Sequence, residues 1–187
     1  MPRLKAIETT EAEPKTKALL DGVQKKLGMT PNLMRTMANS PAVLEAYLGF
    51  GNALGKGTLP PQLREQIALT VGELNECQYC LSAHSALGKM VGLGDEEIAD
   101  SRRGVSPDRK TEAVLQFARR IVTERGWVSD DDVAAVRAAG TSDAEIAEVV
   151  AHVAVNTFSN YFNHVAETDV DFPHVEAPSA TPACSCG

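Results

Sequence analysis

The chain has 187 residues, 43% hydrophobic and 23% charged, the ordinary balance of a globular chain long enough for a real core and for one domain by default. A formal net charge of −7 without a basic stripe lacks the electrostatic footprint of nucleic-acid binding. No apolar run reaches the roughly 18 residues of a membrane span, and MPRLKAIETTEAEPK (1–15) has no apolar signal core, so a cytoplasmic location is expected.

In chain order the pattern is helical throughout, and an all-α fold of about eight helices is predicted. The first helix spans 14–28. Thr30-Pro31 and Ser40-Pro41 each offer a capping hydroxyl followed by proline at the first helical position, which opens helices at 31–38 and 41–55. Helices at 61–75, 78–91 and 95–101 follow, and Ser106-Pro107 opens one at 107–126. Ser129 before DDDV, and Ser142 with Glu145 in a capping-box pattern, start a later group between 130 and 167. Val114, Ala118, Ile121 and Val122 form one apolar stripe, and Ile146, Val149, Val150 and Val153 another. Gly92, Gly94, Gly126 and Gly140 read as helix stops. No segment shows strand alternation bounded by hairpin turns. The last stretch, FPHVEAPSATPACSCG (172–187), is rich in Pro, Ala and Ser and has no helical period. The expected organisation is one domain over 1–173 and a flexible tail over 174–187.

Chemistry concentrates in residues 63–84, LREQIALTVGELNECQYCLSAH. Cys77 and Cys80 stand in C-x-x-C spacing at a predicted helix start, and His84 lies one turn beyond Cys80, so all three share a face. Cα atoms at i and i+3 of a helix are close enough to be bridged, and a helix N-terminus favours the thiolate. An unperturbed imidazole changes charge near neutrality, so His84 is placed to move the thiol proton. Glu65 lies twelve residues before Cys77. If the chain reverses near Asn75 and Glu76, it returns to the height of His84, where a carboxylate orients the imidazole. Three readings of the cysteines compete: a redox-active dithiol, a metal site, and an inert buried pair. Zinc wants four ligands where only three cluster, and in a reducing compartment C-x-x-C reads as catalytic or metal-binding before structural.

The segment resembles the core of the alkylhydroperoxidase D-like group of the carboxymuconolactone decarboxylase superfamily, whose pattern is Glu, eleven residues, C-x-x-C, three residues and His. Glu65, Cys77, Cys80 and His84 match it position by position. The stretches KLGMTPNLMRTMANSPAVLEAYLGF (26–50) and NTFSNYFNHVAETDVDFP (156–173) are similar to the N- and C-terminal parts of its peroxidase-related branch. The resemblance implies a helical bundle in which Cys80 attacks a hydroperoxide, Cys77 resolves it as a disulfide, and Glu65 with His84 relays the proton. It implies an external dithiol reductant, no metal, haem or flavin cofactor, and a homo-oligomer, trimer or hexamer. One departure is Tyr79, where the best-known members carry a His. The rival reading is a thiol–disulfide relay or redox sensor that uses the same pair without peroxide turnover. The decarboxylase branch is weaker, since its members typically lack C-x-x-C.

The remaining candidates are bland by comparison. His152, in AHVAV, reads as a core histidine, and His164 is a candidate pocket wall with Tyr161. Tyr79 is expected to wall the thiol pocket, and Met29, Met34 and Met37 to serve packing. Cys184 and Cys186 read either as an inactive flexible end or as a tethered thiol pair that exchanges with the core disulfide or carries a soft metal.

Overall fold

Prolines and capping hydroxyls start the helices largely where the sequence puts them. The computed structural model describes residues 1–175, and these contain nine α-helices and no strand. They are α1 (Pro14–Leu27), α2 (Asn32–Met37), α3 (Pro41–Leu54), α4 (Pro61–Leu74), α5 (Gln78–Met90), α6 (Asp95–Arg103), α7 (Arg109–Thr123), α8 (Asp130–Ala138) and α9 (Asp143–Ala166). The count exceeds eight because the last group divides: Gly140 takes φ 94°, a left-handed turn, and Ser142 caps a fresh helix. Ser40, Ser129 and Ser142 cap as predicted.

Three predicted punctuation marks behave differently. Thr30 gives its hydroxyl to Gln24 Oε1 at 3.0 Å, and α2 begins without a side-chain cap. Ser106 accepts from the Asp108 amide, while Asp108, the stronger acceptor, caps α7 through the Thr111 amide at 2.8 Å. Gly94 starts α6 instead of stopping α5, its amide bonded to Glu97 Oε2 at 2.8 Å.

Helix α4 is the centre of the molecule. Leu63, Gln66, Ile67, Ala68, Leu69, Thr70, Val71 and Gly72 are all buried, so it is covered on every side. It packs against α5, α6, α7 and α9. One core, built on Ile67, Val71, Val114, Leu115, Phe117 and Val149, joins α4 to α7, α8 and α9. A second, built on Leu20, Leu33, Met37, Leu44, Tyr79 and Cys80, joins α1, α2 and α3 to α5. The cysteines therefore sit in the second core, against the first helix of the other.

The chain crosses from α4 to α5 in a tight reversal through Asn75 and Glu76, as the Glu65 argument requires. Glu76 takes φ 52°, and the Cys77 amide bonds back to the Gly72 carbonyl at 2.9 Å. Past α9 the chain returns over α5. Asp171 accepts from the Asn32 amide and the Tyr79 hydroxyl, and Phe172 meets Tyr79 edge-on with centroids 5.9 Å apart. Val175 is half-buried, with its amide on Ser82 Oγ at 3.3 Å and its carbonyl accepting from Gln78 Nε2. Side chains of α5 thus hold the backbone of Val175. Cys184 and Cys186 lie outside the described residues. Among the described residues no helix is long and apolar enough to cross a membrane.

Candidate active site

Cys77 is the N-cap of α5, and its Sγ accepts from the Cys80 amide at 3.3 Å. That amide is one of the orphan donors at a helix start, so the first sulfur sits in the electropositive field of the helix end. Cys77 and Cys80 are joined as a disulfide with Cα atoms 5.3 Å apart, and both are buried, 1% and 2% exposed. The structure is therefore that of the oxidised pair.

His84 and Glu65 meet as the spacing predicts. His84 Nδ1 lies 2.7 Å from Glu65 Oε2 across the α4–α5 interface, with both side chains about one-fifth exposed. An ionised carboxylate only accepts, so Nδ1 carries the proton in this bond and Nε2 is left as a base. The two predicted pairs are thus both assembled at the first two turns of α5.

A pocket of about 60 Å³ lies against this group, and its wall includes Cys80, His84, Tyr79, Tyr47, Met34 and Ser159. Cys77 is not part of that wall. The volume suits a few waters or a peroxy head group. A second cavity of about 750 Å³ lies between α1, α3, α4, α5 and α9. Leu27, Met34, Tyr47, His84 and Leu87 belong to both, so the two meet along one wall.

Tyr79 does wall the thiol pocket, but its hydroxyl is committed. It donates to Asp171 Oδ1 at 2.8 Å and accepts from the Leu33 amide at 3.1 Å. Burial, only partly offset by the Leu33 bond, pushes the phenol far above its ordinary range, so it holds its proton. Met34 packs against the thiol core and lines both cavities, and Met37 is buried. His164 does not form the expected pocket wall with Tyr161. Its Nε2 is tied to the Asn75 carbonyl at 2.8 Å, and Tyr161 is 58% exposed on the outer face of α9. His152 is buried, as a core histidine should be, yet it borders the large cavity.

The pattern reading missed Asn163. Its Nδ2 is 3.3 Å from Cys80 Sγ and 4.0 Å from Cys77 Sγ, and the side chain is buried. The available signal was a polar stripe on an apolar helix: Asn156, Asn160 and Asn163 recur at helical spacing on α9, and all three are buried. Asn160 accepts from Asn75 Nδ2 at 2.8 Å, which ties the stripe to the α4–α5 reversal.

Residues 41–124 match the model of the carboxymuconolactone decarboxylase family. No curated protein is similar enough in sequence to match the chain. Among solved structures, an uncharacterized peroxidase-related protein from Silicibacter sp. TM1040 superposes with a TM-score of 0.78 at 24% identity, over 90% of this chain and 94% of the other. An uncharacterized peroxidase-related protein from Ralstonia eutropha JMP134, described as an alkylhydroperoxidase AhpD core, gives 0.82 at 23% identity over 91% and 92%. The debrominase Bmp8, bound to 2,3,4-tribromopyrrole, gives 0.79 at 19% identity over 91% and 92%.

Proposed function

We propose that the chain, whose residues 41–124 match the carboxymuconolactone decarboxylase family model and whose fold is alkylhydroperoxidase D-like, is a member of that superfamily and a thiol-dependent peroxidase acting on alkyl hydroperoxides. The observation that carries this reading is the union of a Cys77–Cys80 dithiol with a Glu65–His84 pair at 2.7 Å beside one small pocket. Fold alone does not choose the reaction, since a debrominase shares it.

In the reduced protein, His84 Nε2 takes the Cys80 proton, and Glu65 stabilises the imidazolium. The Cys80 thiolate attacks the outer peroxide oxygen. The O–O bond breaks, its electrons leave on the alkoxide, and His84 returns the proton to give an alcohol. Cys80 is left as a sulfenic acid. The Cys77 thiolate then attacks the Cys80 sulfur, hydroxide departs as water, and the disulfide forms. An external dithiol reduces it, and the two electrons it supplies balance the cycle. Asn163 Nδ2 donates toward the Cys80 sulfur while it is anionic.

The wall of the pocket supports Cys80 over Cys77 as the attacking thiol. The burial of both sulfurs favours a small substrate that enters a cavity over a relay in which a protein thiol docks on an exposed disulfide. The trimer or hexamer implied by the resemblance belongs to the same proposal, and α9 offers an outward apolar face in Phe158, Tyr161 and Val165.

The test is steady-state consumption of cumene hydroperoxide with dithiothreitol as donor. Wild-type protein turns over, Cys80→Ser does not, and Cys77→Ser accumulates a sulfenic acid at Cys80. Glu65→Gln loses roughly 10²–10⁴-fold in rate while staying folded. Undiminished turnover in Cys80→Ser, with sulfenic acid trapped at Cys77, would reverse the assignment. Thiol–disulfide exchange with no peroxide consumption would leave the relay reading in its place.

A further inference from the structure

The large cavity carries an imbalance of charge that the peroxidase reading does not use. Its acidic wall residues are both satisfied, Glu65 by His84 at 2.7 Å and Glu45 by Lys15 at 2.7 Å. Its cations are not. Among the described residues Arg64 has no carboxylate partner and makes one long bond, from Nη1 to the Leu54 carbonyl at 3.4 Å. Among the same residues Lys26 meets only the neutral Asn52 Oδ1 at 3.0 Å. Across from Arg64, His152 is 7% exposed and its buried Nε2 has no hydrogen-bond partner among the described residues. An unpaired buried polar nitrogen costs free energy that a ligand or water at that spot removes. Burial and the neighbouring Arg64 hold His152 below its ordinary pKa, so it faces the cavity as a neutral imidazole.

The rest of the wall is apolar: Leu19, Val23, Leu48, Leu54 and Val155 contribute to it. The polar end lies away from the thiols. Along α3, Tyr47 touches the Cys80 pocket and Leu54 touches the Arg64 end, seven residues apart, or roughly 10 Å at the helical rise.

We propose that this cavity binds the chain of a hydroperoxide ending in a carboxylate, as a fatty-acid hydroperoxide does, with Arg64 anchoring the carboxylate and the peroxy group delivered to the pocket at Cys80. A guanidinium fork matches a carboxylate in a two-pronged bond. The apolar walls cover the methylene chain. The delivery of the peroxy end rests on the peroxidase reading, whereas the carboxylate site does not.

Two measurements separate the two claims. The first is equilibrium binding of laurate and of methyl laurate to the full chain, by displacement of a fluorescent fatty-acid probe. Laurate is expected to bind at least about tenfold more tightly than its ester, the worth of one charge-assisted hydrogen bond. Arg64→Gln removes that preference, and the His152 ring signals shift on laurate binding in the wild-type protein. Equal affinity for acid and ester in the wild-type protein would overturn the carboxylate site, whether or not the variant folds. The second is the ratio of kcat/KM for linoleic acid hydroperoxide over its methyl ester, expected to be about tenfold or more and to fall toward one in Arg64→Gln. A ratio of one in the wild-type protein also overturns the site. If no hydroperoxide is consumed, the peroxidase reading fails and the laurate comparison still decides the cavity.

Discussion

Asn163 shows how a single buried amide can set the chemistry of a thiol. Its Nδ2 stands 3.3 Å from Cys80 Sγ, and in the reduced protein that donor favours the thiolate over the thiol. A hydrogen bond to a charged group contributes about 1.5–3 kcal/mol. Asn163→Leu is therefore expected to move the titration of Cys80 upward. The rate of iodoacetamide alkylation against pH, measured in a Cys77→Ser background, reads it directly. A profile identical to that of the parent would strip Asn163 of this role and leave it a packing residue. The neighbouring Tyr79 sets a contrast. Its hydroxyl is closed off by Asp171 and Leu33, so the position between the cysteines supplies a wall and no proton.

At the level of elements, one carboxylate pins the loop that leads into α4. Glu148 on α9 accepts from the Thr58 amide at 2.8 Å, the Thr58 hydroxyl at 3.0 Å and the Leu59 amide at 3.0 Å. Gly57 makes room for it, since a Cβ there would fall 2.5 Å from Glu148 Oε2. The carboxylate is the mobile end of its side chain, so Gly57→Ala is relieved by displacing it, at the expense of those bonds. We expect a loss of about 1–3 kcal/mol in urea unfolding, and a much smaller loss when the same change is made in Glu148→Ala. Equal losses in both backgrounds would mean that the glycine matters for another reason. This clasp was not legible in the sequence, because its partners lie 89 and 90 residues apart. The same holds for Asn163, 83 residues from Cys80. By contrast, Glu65, Cys77, Cys80 and His84 fall within two adjacent helices, where spacing alone fixes which side chains meet. Helix starts were legible where one residue type had no rival, as at Ser40 and Ser142. They were misplaced at Thr30 and Ser106, where Gln24 and Asp108 compete for the same donors and acceptors.

Across the whole molecule, His152 and the four shifted carboxylates all oppose the folded state in acid, whereas Tyr47 and Tyr79, raised by burial, act only above the ordinary phenol range. Burial, reinforced by Arg64, holds His152 below its ordinary value, although Glu148 and Glu65 pull the other way. Glu145 is lowered by Lys110 and by the Ser142 amide. Burial raises Glu148, but the bonds from Thr58 and Leu59 outweigh it and leave it lowered. Asp108 and Asp132 are lowered by the helix starts they cap, through Thr111 and Ser129 respectively. For His152 and these carboxylates the unfolded chain takes up a proton at a higher pH than the folded one, so stability falls as pH falls. His152 acts first, as pH drops below the ordinary histidine value of about 6.5, and the carboxylates act below about 4. Urea midpoints measured from pH 8 down to pH 3.5 should therefore decline in two stages. His152→Phe should remove the upper stage and leave the lower one. A midpoint that stays level from pH 8 to pH 5 in the wild-type protein would show that His152 protonates in the folded state as easily as in the unfolded one, and that the imidazole beside Arg64 is not desolvated as the structure places it.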